Sequence, residues 1–580
     1  MIWYLDSPER FRLEREVIER LASSCGWLVP GQWRMDEMLR LVWDGEIIVD
    51  GQVREVSLRY PNHFPHSPPS VLPRDSNARW SGHQFGAGGE LCLEYGPDNW
   101  HHELTGADMI QSAQRLLQGE APAVDGAPAE VLSRHSTTLG QDLRNKKLRL
   151  LVTRELHDTV TTLPDSTVVT GKLVVMYHEE CIVYVMGSLT TLSGTEWVDP
   201  AIPKQLKYEA REPQYLLVRW PANADLPSTK SAKELRSTVG ATDAAMREIV
   251  YVVIARGATI YGHRLWDEDD TIIPISVIPA QSTMARVDGS HAALITRKVA
   301  VVGCGSLGSK IAVMLARVGI GRFLLVDDDV MLPDNLVRHD LDWRDVGAHK
   351  AEAVARRVEL VSPTAECHTR RHRLGGQESS GSIETLISSL ASCDLIIDAT
   401  ADAHAFGYLT AAAASGRKPI VWAEVFGGGF GGLIARHRPS LEPDPASMRR
   451  TIENWCRDQG KPIERTVNYE SRGSGPPLIA DDADVAVVAA HAARLAIDTL
   501  IPRNPSIFPY SVYMIGLVQG WIFDQPFDTH PIDVGPPSPS PAPPVNQQVV
   551  EEEMARVREL FNRFANATPT DTSDRATPAT

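Results

Sequence analysis

No run in the 580-residue chain approaches the roughly 20 apolar residues that a membrane helix needs. The opening MIWYLDSPERFRLERE has no basic region followed by an apolar stretch, so neither a membrane span nor a secretory leader is expected. The seven cysteines (Cys25, Cys92, Cys181, Cys304, Cys367, Cys393, Cys456) are odd in number and never stand as C-x-x-C. A disulfide scaffold and a cysteine zinc site therefore have no support. Positive charge is also short: 58 Lys and Arg against 74 Asp and Glu leave a net charge of -16. General nucleic-acid binding, which needs a basic surface to displace counterions, is not expected. These absences leave a protein of a reducing compartment, expected to be cytoplasmic.

What is present is ordinary for a globular protein, with 43% hydrophobic and 23% charged residues. The length suggests about three to four domains. Ser7-Pro8-Glu9 reads as a helix start, with a capping serine, a first-turn proline and an acid at the positive end of the helix dipole. Phe11, Leu13, Val17, Ile18 and Leu21 continue it as an amphipathic helix. Strand-like runs at 38–49 and 53–60 flank Asp50-Gly51, a hairpin signal. The proline-rich stretch 60–73 is unsuited to a central strand. The pattern divides the chain into a first domain at 1–120, a linker at 121–145, a mixed middle domain at 146–290, a nucleotide-binding domain at 291–535, and a C-terminal segment at 536–580. That last segment combines a proline-rich spacer, an amphipathic helix through Val550, Met554, Val557, Leu560 and Phe561, and a polar tail. The fold class expected is multidomain, α/β and α+β.

The chemistry is densest after Arg297. Lys298 to Val302 reads as a buried strand, and Gly303-Cys304-Gly305-Ser306-Leu307-Gly308 turns it into a helix. Gly303, Gly305 and Gly308 let the backbone turn tightly and approach a phosphate chain lying on the helix N-terminus. A second strand ends at Asp327, where an acid suits a ribose hydroxyl. Alone, this admits an NAD-dependent Rossmann domain equally well. Asp327-Asp328-Asp329, Asn335, Arg338, Lys350 and then Asp398 follow, with Asp402 beyond. Hydride transfer has no need of Arg and Lys beside acids here. Attack of a carboxylate on an α-phosphate does, because charge growing on the phosphate must be met by cations while carboxylates hold magnesium on the leaving pyrophosphate.

The stretch GCGSLGSKIAVMLARVGIGRFLLVDDDVMLPDNLVRHDL resembles the ubiquitin-activating and sulfur-carrier-adenylating (ThiF-type) enzymes, over about residues 297–500. The resemblance implies a Rossmann-like adenylation domain using ATP and Mg2+. Asp327 would hold the ribose, and Asn335, Arg338 and Lys350 the phosphates, with Asp329 and Asp398 in the same site. That family has Asp three residues beyond the position of Asp398, where this chain has Ala401. Asp402 either replaces it as a magnesium ligand or caps the next helix.

Cys92 lies in Gly-Gly-Glu-Leu-Cys-Leu. Before it come Tyr60-Pro61, Pro65, Ser67-Pro68-Pro69 and His83-Gln84-Phe85, and Trp100 follows. A cysteine between two leucines is ordinarily a buried hydrophobe. This order of elements, however, is similar to ubiquitin-conjugating enzymes over about residues 7–118. The resemblance implies an α+β domain with Cys92 as a thioester-forming nucleophile. Gln84-Phe85 replaces the family's Pro-Asn, leaving His83, His101 or His102 as candidate donors. For the activating half, three routes remain open. Cys456 is a transfer thiol, Ser471 or Ser474 forms an oxyester, or the adenylate passes straight to Cys92.

A conjugating module, a middle domain and an adenylating module in this order resemble the bacterial fusions found beside cGAS-like nucleotidyltransferases in anti-phage (CBASS) operons. The implied partners are the C-terminus of a ubiquitin-like protein or of such a nucleotidyltransferase, a target lysine, and a second copy of the chain as a homodimer. The alternatives are a sulfur-carrier adenylyltransferase and a non-catalytic nucleotide-sensing scaffold.

Overall fold

The computed structural model describes the chain apart from residues 1, 86–87, 121–137, 208–212, 242–245, 247, 267, 280–287, 427, 461–479, 502, 538–546 and 567–580. It divides into two compact units, Met1–Lys146 and Lys147–Thr580. Among the described residues no helix is long and apolar enough to cross a membrane.

In the first unit the helix Pro8–Ser24 has proline in its first turn, as expected, but the Ser7 side chain makes no capping hydrogen bond. A short helix, Trp3–Asp6, runs directly into it, and Ser7 instead uses its backbone carbonyl to accept from Arg10 N. The strands Leu41–Val49 and Gln52–Arg59 pair antiparallel around Asp50 and Gly51. Both turn residues have positive φ (47° and 76°), the geometry that matches the twist of paired strands. Ser70–Pro73 forms the sheet edge, where a proline's missing N–H costs no ladder bond. The closing helix Gly106–Gly119 starts on a reciprocal cap between Thr105 and Asp108.

Glu14, which the sequence did not single out, ties these pieces together. Its buried carboxylate accepts from the Tyr60 hydroxyl at 2.8 Å and from Gly106 N at 2.7 Å, and pairs with Arg10 at 2.9 Å. Burial pushes the carboxyl up and these donors pull it back, so the opening helix, the sheet end and the closing helix meet on one carboxylate. Of the expected linker, only its end lies within the described residues, and there Leu139–Leu143 is helical.

The second unit holds two sheets. The first contains eight strands. Val168–Tyr177 pairs with both Ile182–Thr190 and Gln214–Trp220, so the ladder returns on itself around a core containing Leu150, Leu173, Tyr184, Tyr215 and Val253. The second sheet begins at Lys298. Glu366–Arg370, Arg322–Val326, Lys298–Val302, Leu395–Asp398 and Ile420–Val425 lie side by side in that order and are parallel. Gly431–His437, Val512–Gly516 and Thr529–Ile532 extend it antiparallel.

Alternation along the first of these strands sorts the core. Val299 and Val301 face one layer with Ile311, Val354 and Val488. Ala300 and Val302 face the other with Leu386, Leu409 and Ile452. The strand order reverses beside Lys298–Val302, and a doubly wound sheet binds its ligand in the crevice at that point.

Candidate active site

A cleft opens beyond the carboxyl ends of these parallel strands. The glycine turn, Asn335, Arg338, Lys350 and Thr400 are among the residues that line it. Gly303 has φ +84°, and a Cβ built on it would lie 2.9 Å from the Ala399 carbonyl carbon. A Cβ on Gly308 would fall 1.8 Å from the Gly303 carbonyl oxygen, so this turn holds its shape only without side chains. The helix Ser306–Arg317 follows, and its N-cap, Gly305, has no side chain to cover the first amides. An open helix N-terminus at a cleft is an anion site. Gly308→Ala is expected to force the turn open at a cost of about 1–3 kcal/mol. In a titration with a fluorescent ATP analogue, affinity should fall by about tenfold or more.

Each acid of the expected set has its own place. Asp327 accepts from Cys304 N at 2.6 Å and from Asp329 N at 2.8 Å, so it braces the turn. Burial pushes its carboxyl up and the two amides oppose that. Asp329 forms an ion pair with Lys350. Partial burial works against its charge, but Lys350, the Val330 amide and Arg373 together hold the carboxyl below its usual range. The buried Asp398 accepts from the Thr400 hydroxyl at 2.6 Å, and burial drives its carboxyl to about 6. Asp402 is the N-cap of Ala403–Gly416: one carboxylate oxygen accepts from His404 N and Ala405 N. Ala401, at φ +53°, lines the cleft with no polar side chain.

Two cleft residues escaped the sequence analysis. His339 is buried and its Nε2 lies 2.8 Å from the Cys304 carbonyl. Burial lowers its imidazole to about 4, so it is a neutral donor that supports the glycine turn. The HDL segment was quoted for its likeness, but a histidine has no helical or strand periodicity to mark it. Glu424 lines the cleft from the end of Ile420–Val425 and pairs with Arg449 at 3.0 Å. The two lie 25 residues apart in sequence, and nothing local announces the pair.

Residues 282–443 match the ThiF family model. The chain is 29% identical over 164 residues to the ATP-dependent ubiquitin transferase-like protein Cap2 of Pseudomonas aeruginosa, covering 26% of this chain and 28% of that one. It is 28% identical over 150 residues to the sulfur carrier protein ThiS adenylyltransferase of Escherichia coli, covering 26% of this chain and 56% of that one. The matched stretch thus spans about a quarter of the length of the Cap2 relative. An E. coli MccB structure with ATP overlaps 44% of this chain and 68% of its own at 19% identity, with a TM-score of 0.32.

Of the candidate nucleophiles, Cys456 lies in a helix, Pro445–Asp458. Pro445 starts that helix and the Asp444 side chain caps it. The thiol is fully buried with Met448 and Ile452, and burial pushes it up to about 11. These are the surroundings of a packing residue. Ser471 and Ser474 lie outside the described residues.

Cys92, in the first unit, is half-buried. Its N–H donates to the His83 carbonyl at 2.7 Å, which fixes it beside a two-stranded turn of Gln84–Phe85 and Glu90–Leu91. Gln84 is fully engaged: its carbonyl accepts from Trp80 N at 2.6 Å and its amide donates to the Gly89 carbonyl at 2.7 Å. His83 lies 3.9 Å from Glu120, and His101 and His102 are exposed. Burial raises the Cys92 thiol, and Asp98 and Glu90 raise it further. Alkylation by iodoacetamide should therefore have its pH midpoint above the ordinary thiol value of about 8.5. Removing one negative neighbour in Asp98→Asn should move the midpoint down, as read by mass spectrometry across a pH series.

Proposed function

We propose that this chain uses ATP to activate the C-terminal carboxylate of a partner protein and passes the acyl group through Cys92 to a target amine. The observation that carries the reading is the cleft itself, where a glycine turn, an open helix N-terminus, Asn335, Arg338 and Lys350 converge at the switch point of a ThiF-family sheet. A carboxylate oxygen of the partner attacks the α-phosphorus, the bond to the bridging oxygen breaks, and pyrophosphate leaves. Arg338 and Lys350 meet the charge that grows on the phosphates during this exchange. A divalent cation supplies further charge neutralisation on the pyrophosphate. Among the described residues no cluster of three or more protein ligands could hold such a metal by itself, which fits a cation held mainly by phosphate oxygens and one or two carboxylates, as Mg2+ commonly is.

The Cys92 thiolate then attacks the acyl carbon and expels AMP, and a lysine amine attacks the thioester and expels the thiolate. Sulfur suits this relay because a thioester keeps the activation gained from ATP. Since Cys456 is buried, the relay is assigned to Cys92 directly. The likeness to the Cap2 protein and the order of modules favour a ubiquitin-like protein, or a cGAS-like nucleotidyltransferase, as the owner of the carboxylate, in a bacterial anti-phage setting. A homodimer formed through the adenylation domain completes the proposal.

The test is incubation of the full chain with Mg-ATP and a candidate carrier. ATP–pyrophosphate exchange together with a carrier-sized adduct on Cys92 by mass spectrometry supports the proposal. Exchange without any adduct indicates a sulfur-carrier adenylyltransferase, a reading favoured by the match to the ThiS enzyme. Absence of exchange indicates a nucleotide-sensing scaffold, the reading to which Ala401 lends weight.

A further inference from the structure

Position 401 offers no side-chain oxygen to a cation, and Asp327, Asp329 and Asp402 have other roles. Asp327 uses both carboxylate oxygens on backbone amides, Asp329 is paired with Lys350, and Asp402 spends one oxygen on its helix cap and is not among the residues that line the cleft. Glu424 is different. It lines the cleft together with Ala401, Arg338 and Lys350. Arg449 donates to its Oε1 at 3.0 Å, and no described residue donates to Oε2. The Arg449 guanidinium is itself held, lying 3.7 Å from the centre of the Phe406 ring. The buried Asp398 sits close enough to Glu424 for the two charges to interact. A cleft-lining carboxylate clamped through one oxygen is the arrangement a hard cation uses when it shares its coordination with substrate phosphates.

We infer that Glu424, positioned by Arg449, supplies the carboxylate that position 401 lacks and holds the divalent cation on the nucleotide phosphates. This rests on reading the cleft as an ATP site, so the experiment separates the two. Mn2+ binding to the full chain is followed by electron paramagnetic resonance in the presence of the non-hydrolysable analogue AMPCPP, and AMPCPP binding alone is measured in EDTA. Glu424→Gln should weaken Mn2+ binding by about tenfold or more, while metal-free AMPCPP affinity stays at the wild-type value.

Asp402→Asn should leave Mn2+ affinity unchanged. Adding Ala401→Asp to Glu424→Gln should restore Mn2+ binding, because the left-handed backbone at 401 is one that aspartate tolerates. This double variant also guards against a fold defect in the single one. Unchanged Mn2+ affinity in Glu424→Gln, or a loss confined to Asp402→Asn, overturns the inference while leaving the ATP reading intact. Failure of the wild-type chain to bind AMPCPP even in EDTA overturns both.

Discussion

Replacing Arg338 and Lys350 together by alanine should abolish ATP–pyrophosphate exchange. In the proposed reaction each cation meets charge that develops only as the α-phosphate is attacked. Removing one preorganised donor of this kind costs about 10² to 10³ in rate, or ~2.7–4 kcal/mol. The pair acts on the same charge, so their losses will not simply add, but the double variant should lie at least about 10³-fold below the wild type. The fold should survive. The Lys350 side chain is largely covered, but that of its partner Asp329 is 60% exposed, so the carboxylate left behind is solvated by water rather than stranded in the core. Retained melting temperature with lost exchange is the expected pair of results. Full exchange in the double variant would remove the basis for reading the cleft as an adenylation site.

The second large effect is expected at Cys92. Cys92→Ala should leave exchange intact, since the thiol belongs to the other compact unit and in the proposed relay acts only after the adenylate has formed. Transfer to an amine should fall by at least about 10³-fold, the scale on which loss of a nucleophile is felt. Cys92→Ser should instead accumulate an oxyester that survives thiol reductants, because a serine hydroxyl is scarcely ionised at neutral pH and its ester is a weaker acyl donor. Denaturing gels with and without reductant distinguish the two linkages. A reductant-sensitive adduct that persists in Cys92→Ala would move the relay to another cysteine, and Cys456 would then have to leave its buried position to serve.

Much of the nucleotide domain was legible in the chain itself. A strand, a glycine turn and a helix are local features, and their residues carry their geometry with them: Gly303 needs its positive φ, and Gly308 has no room for a Cβ beside Gly303. Asn335, Arg338 and Lys350 were found because they follow the turn at a recognisable spacing, and all three line the cleft. The Asp50-Gly51 hairpin was equally local, fixed by turn chemistry.

Other features depended on residues distant in sequence meeting in space, and these only the tertiary structure decided. Glu14 joins Tyr60 and Gly106 across 46 and 92 residues. Glu424 meets Arg449 across 25 residues and lines a cleft built by other strands. Cys456 looked available in a polar stretch, yet a proline and a capping aspartate start a helix whose apolar face, packed on the sheet, removes the thiol from solvent. Local pattern specifies backbone conformation because torsional preferences and caps act within a few residues. Which side chains face one another, and which carboxylate is left with an oxygen to spare, follows only once the sheet order has been set by packing.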